Sequence, residues 1–600
     1  MRFCALEWAR AAGAVAAILA FSALPVAAAA KDLAIVGATV FDATGAAPRP
    51  ATVLIRDGRI AAVGPAVKVP RGATVIEAKG QALLPGFFDV HTHWTPGGAP
   101  AVTPAIANAY LAAGVTTVND FHQQPESFAP RREWLGELAA PHVNFVARMS
   151  TPGGHGADWA DQATTKWVNT PRAARSEVQA LVPYKPDMIK AFADGWRYGT
   201  AADNTSMDEA TLSALVDEAH RNDLKVLTHT VTVDRGKVAA RAKVDVIAHS
   251  LQDRPVDEET IALMKANGTA YAPTLAVYDP DKSLAPGAPP PADTPARRQS
   301  VRKFGYALAN VKALHDGGVT IALGTDAGMP GTPHGVSTLR EMELLVRAGL
   351  TPFEALMAGT ANSARVLGQI ADRGTIEPGK RADLVLVEGE PWREISDVRR
   401  TRMVFVDGKA AYGPGVRPPA ANGRTAMAAV PVQALIDDFE RADGRSSLDT
   451  LRTQDFDGGM DRTVEVAQTI DRPGGGRALS IAARMSDKDE PGAAVVIPLS
   501  RGSVRPVDAT AFQGLRLEAR GDGGPYLVEV VGLQGRWRAE IAAGPEWRTV
   551  EVPFSAFTPA PGRQTASGAL TGAELIQVVV GGGRPARTAM WLEIDDITFF

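Results

Sequence analysis

LLPGFFDVHTH, spanning Leu83 to His93, is an apolar run short enough for one strand and closed by two histidines. Unbroken apolarity suits a strand covered on both faces, as in a parallel sheet flanked by helices. Side chains two apart on a strand point to the same side, so His91 and His93 can reach one point beyond the strand end. The pattern then repeats. GVTTVND, VNFVARMS, DMIKAFA, LKVLTHT, DVIAHS, TAYAPTL and VTIALGTD follow, separated by stretches of helical periodicity such as Met207 to Asn222. Eight such units predict a (β/α)8 TIM barrel over residues 85–373, a fold that does its chemistry at the C-terminal ends of its strands.

Outward from the barrel the pattern changes. Residues 31–84 and 374–412 carry short β-like runs between Gly and Pro turn signals, and their likeness predicts one small composite β-sandwich built from both ends. A Pro-rich stretch from Asp279 to Pro295 follows the seventh strand and reads as a lid loop. Residues 413–430, rich in Pro, Gly and Ala, read as a linker. Over residues 431–600 the apolar runs are short and alternating, as in FQGLRLEAR, PYLVEVVGL and WRTVEVPF, which predicts an all-β sandwich of jelly-roll type.

At 600 residues the chain exceeds one hydrophobic core, and 45% apolar residues suffice for several. A formal net charge of −4 excludes a phosphate-binding electrostatic footprint, so nucleic acid is not an expected partner. Arg2 and Arg10 flank an Ala-rich apolar run from Ala11 to Ala30, the form of a cleavable signal peptide over residues 1–30, which predicts a periplasmic or secreted protein. An uncleaved anchor is the alternative, and no other segment could span a bilayer. Cys4, the only cysteine, lies in that leader. Any metal ligands are therefore nitrogen and oxygen.

Histidine and acid fall at the strand ends. His229 ends the fifth run, His249 the sixth and Asp326 the eighth, so with His91 and His93 five donors converge on the C-terminal rim. Singly, each histidine could be a hydrogen-bonded core residue and Asp326 a cap. Jointly they suit a divalent metal, Zn²⁺ foremost, with Mn²⁺, Co²⁺ and Fe²⁺ open. Lys190, in DMIKAFADG, stands among strand apolars where a lysine ordinarily snorkels or pairs with an acid. Beside two cations its amine could take up CO₂, and the carbamate would bridge metals about 3.5 to 4 Å apart.

The segments LPGFFDVHTH, IKAFADG, LTHT, IAHS and LGTDAG, with LTPFEALMAGTANSARVLG and GTIEPGKRADLVLVEG, resemble the amidohydrolase superfamily over about Lys31 to Gly413. The order HxH, Lys, His, His, Asp looks most like its binuclear branch of imidazolonepropionase-like and Xaa-Pro dipeptidase-like hydrolases. The resemblance implies that His91, His93 and Asp326 hold one metal and His229 with His249 the other. Carboxylated Lys190 would bridge them, and Asp326 would serve as general base and acid. It further implies that His155, in the GGHG loop, contacts substrate, with a loop-stabilising hydrogen bond the alternative. His334 either touches substrate or orients its loop. His122, His142, His220 and His315 read as structural or solvated, with His122 a lesser candidate for the pocket wall. LIDDFE, FQGLRLEARGDGGPYLVEV, EWRTVEVPFSAF and WLEIDDITFF resemble the galactose-binding-like domain of the complex I intermediate-associated protein family. In that domain Trp537, Trp547 and Trp591 are expected in the core rather than stacked on a ligand.

The function these features predict is an exported hydrolase with two divalent metal ions. It would cleave an amide bond of a small-molecule substrate, a dipeptide or N-acyl amino acid, by attack of a metal-bound hydroxide. A cyclic amide, imidazolone or lactone is the alternative substrate. An alternative of another class is an inactive barrel that serves as a binding or assembly protein through its C-terminal sandwich. A homo-oligomer is expected, and the sandwich leaves room for a carbohydrate or protein ligand.

Overall fold

Seven parallel strands pair in chain order: β1 (Phe87–Thr92), β2 (Val115–Asp120), β3 (His142–Ser150), β4 (Met188–Phe192), β5 (Lys225–His229), β6 (Val246–Ala248) and β7 (Ala270–Ala272). The eighth run, residues 319–326, closes the ring through backbone bonds on both sides. Tyr271 N donates to Thr320 O and Val90 N to Leu323 O, each at 2.9 Å, and Asp326 N donates to His91 O at 2.7 Å. It does not form a regular strand, because side chains take two of its amides: Leu323 N donates to Ser363 Oγ at 3.0 Å and Thr325 N to Asp89 Oδ1 at 3.1 Å. The barrel is thus nearly closed, with one irregular stave that ends in Asp326. The computed structural model describes residues 32–94, 100–194, 205–284, 289, 291–416, 427–459, 461–561, 566 and 568–600. The leader, most of the 413–430 linker and part of the Pro-rich stretch lie outside them.

Each barrel strand is followed by a helix, and the fourth shows why such a segment is helical. Its expected span, Met207 to Asn222, narrows to Glu209–Arg221, because the Asp208 carboxylate accepts from Thr211 N at 2.7 Å and caps the first turn. Leu212, Leu215, Val216 and Ala219 form its buried stripe. A capping acid of this kind contributes about 1 kcal/mol. The barrel interior is filled by Val90, Phe121, Val146, Met188, Leu227, Val246, Ala248, Ala270, Ala272 and Ala322. No helix among the described residues is long and apolar enough to cross a membrane.

The two ends of the barrel segment meet in one eight-stranded sheet, with Leu384–Glu388 antiparallel to Gln81–Pro85 and Leu386 opposite Leu83. It has its own core, with Ile35, Val53, Leu83, Leu384 and Phe405 among its members. The C-terminal region is all-β, in an eight-stranded and a six-stranded sheet around a separate core. Trp537 lies in that core, its Nε1 donating to Gly568 O at 3.0 Å. Trp547 departs from the expected core position. It is half-buried, with the guanidinium groups of Arg472 and Arg520 over its ring at 4.2 and 5.3 Å.

This C-terminal region packs against two loops on the same rim that carries the histidines. Trp134 of the barrel, Met427 and Val504 form one buried apolar cluster. Buried Glu126 accepts from Leu451 N at 2.7 Å and pairs with Arg445. Beyond the end of β3, Gln454 N donates to Asp161 Oδ2, Gly459 N to Asp158 O and Arg462 Nη1 to Ala157 O, each at 2.8 Å.

Candidate metal centre

The first strand brings its histidines to the rim through a buried acid. Asp89 accepts from Thr325 Oγ1 at 2.7 Å, Thr338 Oγ1 at 2.8 Å, Thr325 N at 3.1 Å and His91 N at 3.3 Å. One carboxyl therefore ties β1 to the eighth run. Burial pushes it up to about 7, against the pull of the two threonine hydroxyls. His249 and Asp326 sit at φ 76° and 61°, in the left-handed region that non-glycine residues rarely occupy. Such strain persists only where the surroundings fix the backbone, and it concentrates at functional sites.

His91, His93, Lys190, His229, His249 and Asp326 are all at most 7% exposed. Lys190 Nζ lies 3.0 Å from His91 Nε2, between the rings of Phe121 and Phe192. Asp326 Oδ1 lies 3.1 Å from His93 Nε2 and 3.4 Å from His91 Nε2. The His249 ring centroid stands 4.5 Å from that of His91 and 4.0 Å from that of His229. The structure thus brings all six together, with His249 next to His229 as well as His91. His249 also has ligand atoms within 4.8 Å of those of His91 and Asp326, and His229 makes a second group with Asp194 and His155.

Asp194 went unremarked in the sequence. Its Oδ2 lies 3.1 Å from both His155 Nδ1 and His229 Nε2. The signal was an acid in FADG four residues beyond Lys190, hidden because nothing local marks its partners as histidines on another loop and another strand. His155 stands beside the group, its ring 4.1 Å from that of His229. His122 is half-buried with its ring 5.9 Å from that of His93, so it borders the site. His334 lies outside the ligand groups and meets Tyr110 Oη through Nδ1 at 3.1 Å. His142, His220 and His315 face Asp383, Asp245 and Asp316 away from the centre.

The electrostatics suit a cation. Burial, with the facing Lys190, holds His91 well below the usual imidazole range, and burial pushes His229 down to about 3. Burial also brings the Lys190 amine down to about 7. Burial opposes ionisation of Asp326, yet the His93 hydrogen bond and the neighbouring imidazoles outweigh it and keep the carboxyl well below its ordinary value. Neutral imidazoles beside an ionised carboxylate are a metal donor set. The fit is supported by an orphaned atom: His249 Nε2 is buried without a hydrogen-bond partner. His249 Nδ1 meets Thr274 Oγ1 at 3.0 Å, and the tautomer protonated there presents the Nε2 lone pair.

A family model, described as "Amidohydrolase family", matches residues 82–411. The imidazolonepropionase of Deinococcus deserti is 27% identical over 379 residues, covering 58% of this chain and 87% of that protein. The ochratoxinase of Aspergillus niger is 27% identical over 430 residues, covering 63% of this chain and 86% of that one. Among solved structures, a candidate prolidase from Bifidobacterium longum is 27% identical with a TM-score of 0.56, covering 65% of this chain and 97% of that chain. A Xaa-Pro dipeptidase with bound methionine, 23% identical with a TM-score of 0.55, covers 64% of this chain and all of its own, and shares the fold.

Proposed function

From the premise that this chain belongs to the amidohydrolase family and is a hydrolase acting on carbon–nitrogen bonds, we propose that it cleaves an amide bond of a dipeptide or an N-acyl amino acid. The observation that carries this reading is the buried set of four histidines, Lys190 and Asp326 at the strand ends, with His91 Nε2 and His93 Nε2 both turned to Asp326. His91, His93 and Asp326 would hold one divalent ion and His229 the other. His249 is in reach of both groups, and Lys190, carboxylated, would add an anionic ligand beside His91. Nitrogen and oxygen donors without sulfur favour zinc. Two such ions, when bound, polarise a scissile carbonyl and make an attacking water acidic.

The chain's own groups supply the proton traffic. Asp326 is kept ionised against its burial, so it can accept a proton from water and return it to the departing nitrogen. His155, beside His229, can hydrogen-bond the substrate. Phe121 and Phe192 flank the Lys190 amine with apolar surface. Metal analysis of the purified chain, paired with a library of dipeptides and N-acyl amino acids, tests the reading. A metal-free preparation that turns over as fast as a loaded one refutes it.

A cyclic amide such as an imidazolone is the second reading, favoured by the imidazolonepropionases among the relatives. The notion of an inactive barrel acting only as a binding protein has no support in a site whose six donors are intact and buried together. The basic and Ala-rich leader supports export to the periplasm or beyond. The two C-terminal β-sheets and their shared core are consistent with a galactose-binding-like jelly roll.

A further inference from the structure

Arg148 is a buried cation for which the hydrolytic reading has no use. On β3 it stands in register with Lys190 on β4. Val146 and Met188, two residues earlier on each strand, belong to the barrel interior. Alternation along the strands therefore turns Arg148 and Lys190 inward, one layer nearer the rim. Arg148 is 3% exposed, and its Nε is fully buried with no partner. Among the described residues the guanidinium makes no hydrogen bond and no ion pair.

Its surroundings do not neutralise it closely. His93, His122 and Lys190 are near enough to repel it, and Asp120 and Asp161 near enough to attract. Both acids spend their oxygens elsewhere. Asp120 Oδ1 accepts from Trp94 N at 3.1 Å and His122 N at 2.9 Å, and Oδ2 from Gln123 Nε2 at 2.8 Å. Asp161 accepts from Thr164 N at 3.0 Å and Gln454 N at 2.8 Å. A buried guanidinium with five donors and no acceptor is strongly unfavourable, and a cation beside a metal centre more so, unless an anion joins it.

We propose that Arg148 binds a carboxylate of the substrate, which makes this an enzyme for anionic amides. The assignment rests on the hydrolytic reading above and names its substrate class. The planar fork of a guanidinium matches a carboxylate through two parallel N–H···O bonds. Adjacent strands are about 4.8 Å apart, so Arg148 lies one strand from Lys190. A carboxylate that reaches Arg148 while its amide lies at the metal centre must sit close to the scissile bond, as the α-carboxylate of a C-terminal amino acid does.

The test compares an N-acyl amino acid with its C-terminal carboxamide on the full-length, metal-loaded enzyme. The wild type should favour the acid in kcat/KM by roughly 30-fold or more, chiefly through KM. Arg148→Met should abolish that preference by lowering kcat/KM for the acid far more than for the carboxamide, with metal content unchanged, and Arg148→Lys should restore part of it. An acid preference that survives Arg148→Met, or an equal fall for both substrates, overturns the assignment. Should the variants not fold, competitive inhibition of the wild type decides. The amino acid released by the reaction must bind at least 10-fold more tightly than its carboxamide, and equal binding overturns the proposal. A wild type that binds the acid over the amide in calorimetry yet hydrolyses neither would refute the hydrolytic reading and leave the role of Arg148 standing.

Discussion

Asp194 Oδ2 lies 3.1 Å from His229 Nε2, so a carboxylate just past the lysine strand orients an imidazole on the next strand. The same oxygen is 3.1 Å from His155 Nδ1. A proton held on His155 Nδ1 by this carboxylate leaves the other nitrogen of that ring free for metal or substrate. Asp194→Asn should therefore weaken metal binding by about 10- to 100-fold with little change in fold, read by competition against a chelator. Unchanged affinity would show that this carboxylate has no part in holding the ligand.

Lys190→Ala removes the group beside His91. Metal content should fall toward one ion or less per chain and turnover should be lost, with partial rescue by small carboxylic acids that can occupy the vacated space. Elemental analysis and assays with added acetate or propionate check this. A variant with two ions and full activity rules out the bridging role.

The pH dependence of the metal-free protein follows from the same lysine. Its folded value is about 7 against an ordinary 10.5, because burial disfavours the charged form. Between those values the unfolded chain holds a proton that the folded chain lacks, so this residue makes stability rise with pH across the window and fall as pH drops through it. Compared with Lys190→Met, the metal-free wild type should lose stability as pH falls from 10.5 toward 7. Denaturant unfolding at several pH values measures the difference, and a flat difference contradicts the argument.

The loop that carries His155 is held from outside the barrel. Gly156, at φ 87°, has no room for a side chain, since a Cβ would lie 2.4 Å from the Phe192 ring. Arg462 bonds Ala157 O and packs over Trp167 and Phe456 at 5.4 and 4.3 Å. Arg462→Ala should raise amide exchange over residues 154–161 and lower kcat/KM by about 10-fold through misplacement, with metal content unchanged. Arg505→Ala breaks only the Arg505 to Glu133 pair of that interface, 3.2 Å long, and should leave both measures alone. Equal effects from the two variants would mean that docking in general, not this loop, matters.

The eight-unit barrel was legible because apolar runs of strand length alternate with helical periodicity, and both signals are local. The clustering of donors was legible for the same reason: His91, His229, His249 and Asp326 each stand at the C-terminal end of such a run. What escaped was pairing across the chain. Asp194 acquires meaning only when β4 and β5 lie side by side, with Phe192 in register with His229. Arg148 looked like one more strand residue, because the absence of a partner is a property of the surroundings. The irregular eighth stave was equally hidden, since Asp89 and Ser363 take its amides from 236 and 40 residues away.

Sequence alone determined the class of fold, the order of the donors and the nitrogen and oxygen character of the site, because side-chain chemistry and the periods of strand and helix are written residue by residue. Tertiary structure decided which donors share a point in space, which buried charge lacks an anion, and that the C-terminal sheets grip the rim beside the histidines. Those depend on distances between segments far apart in the chain, set by how the whole barrel closes and packs rather than by any local run of residues.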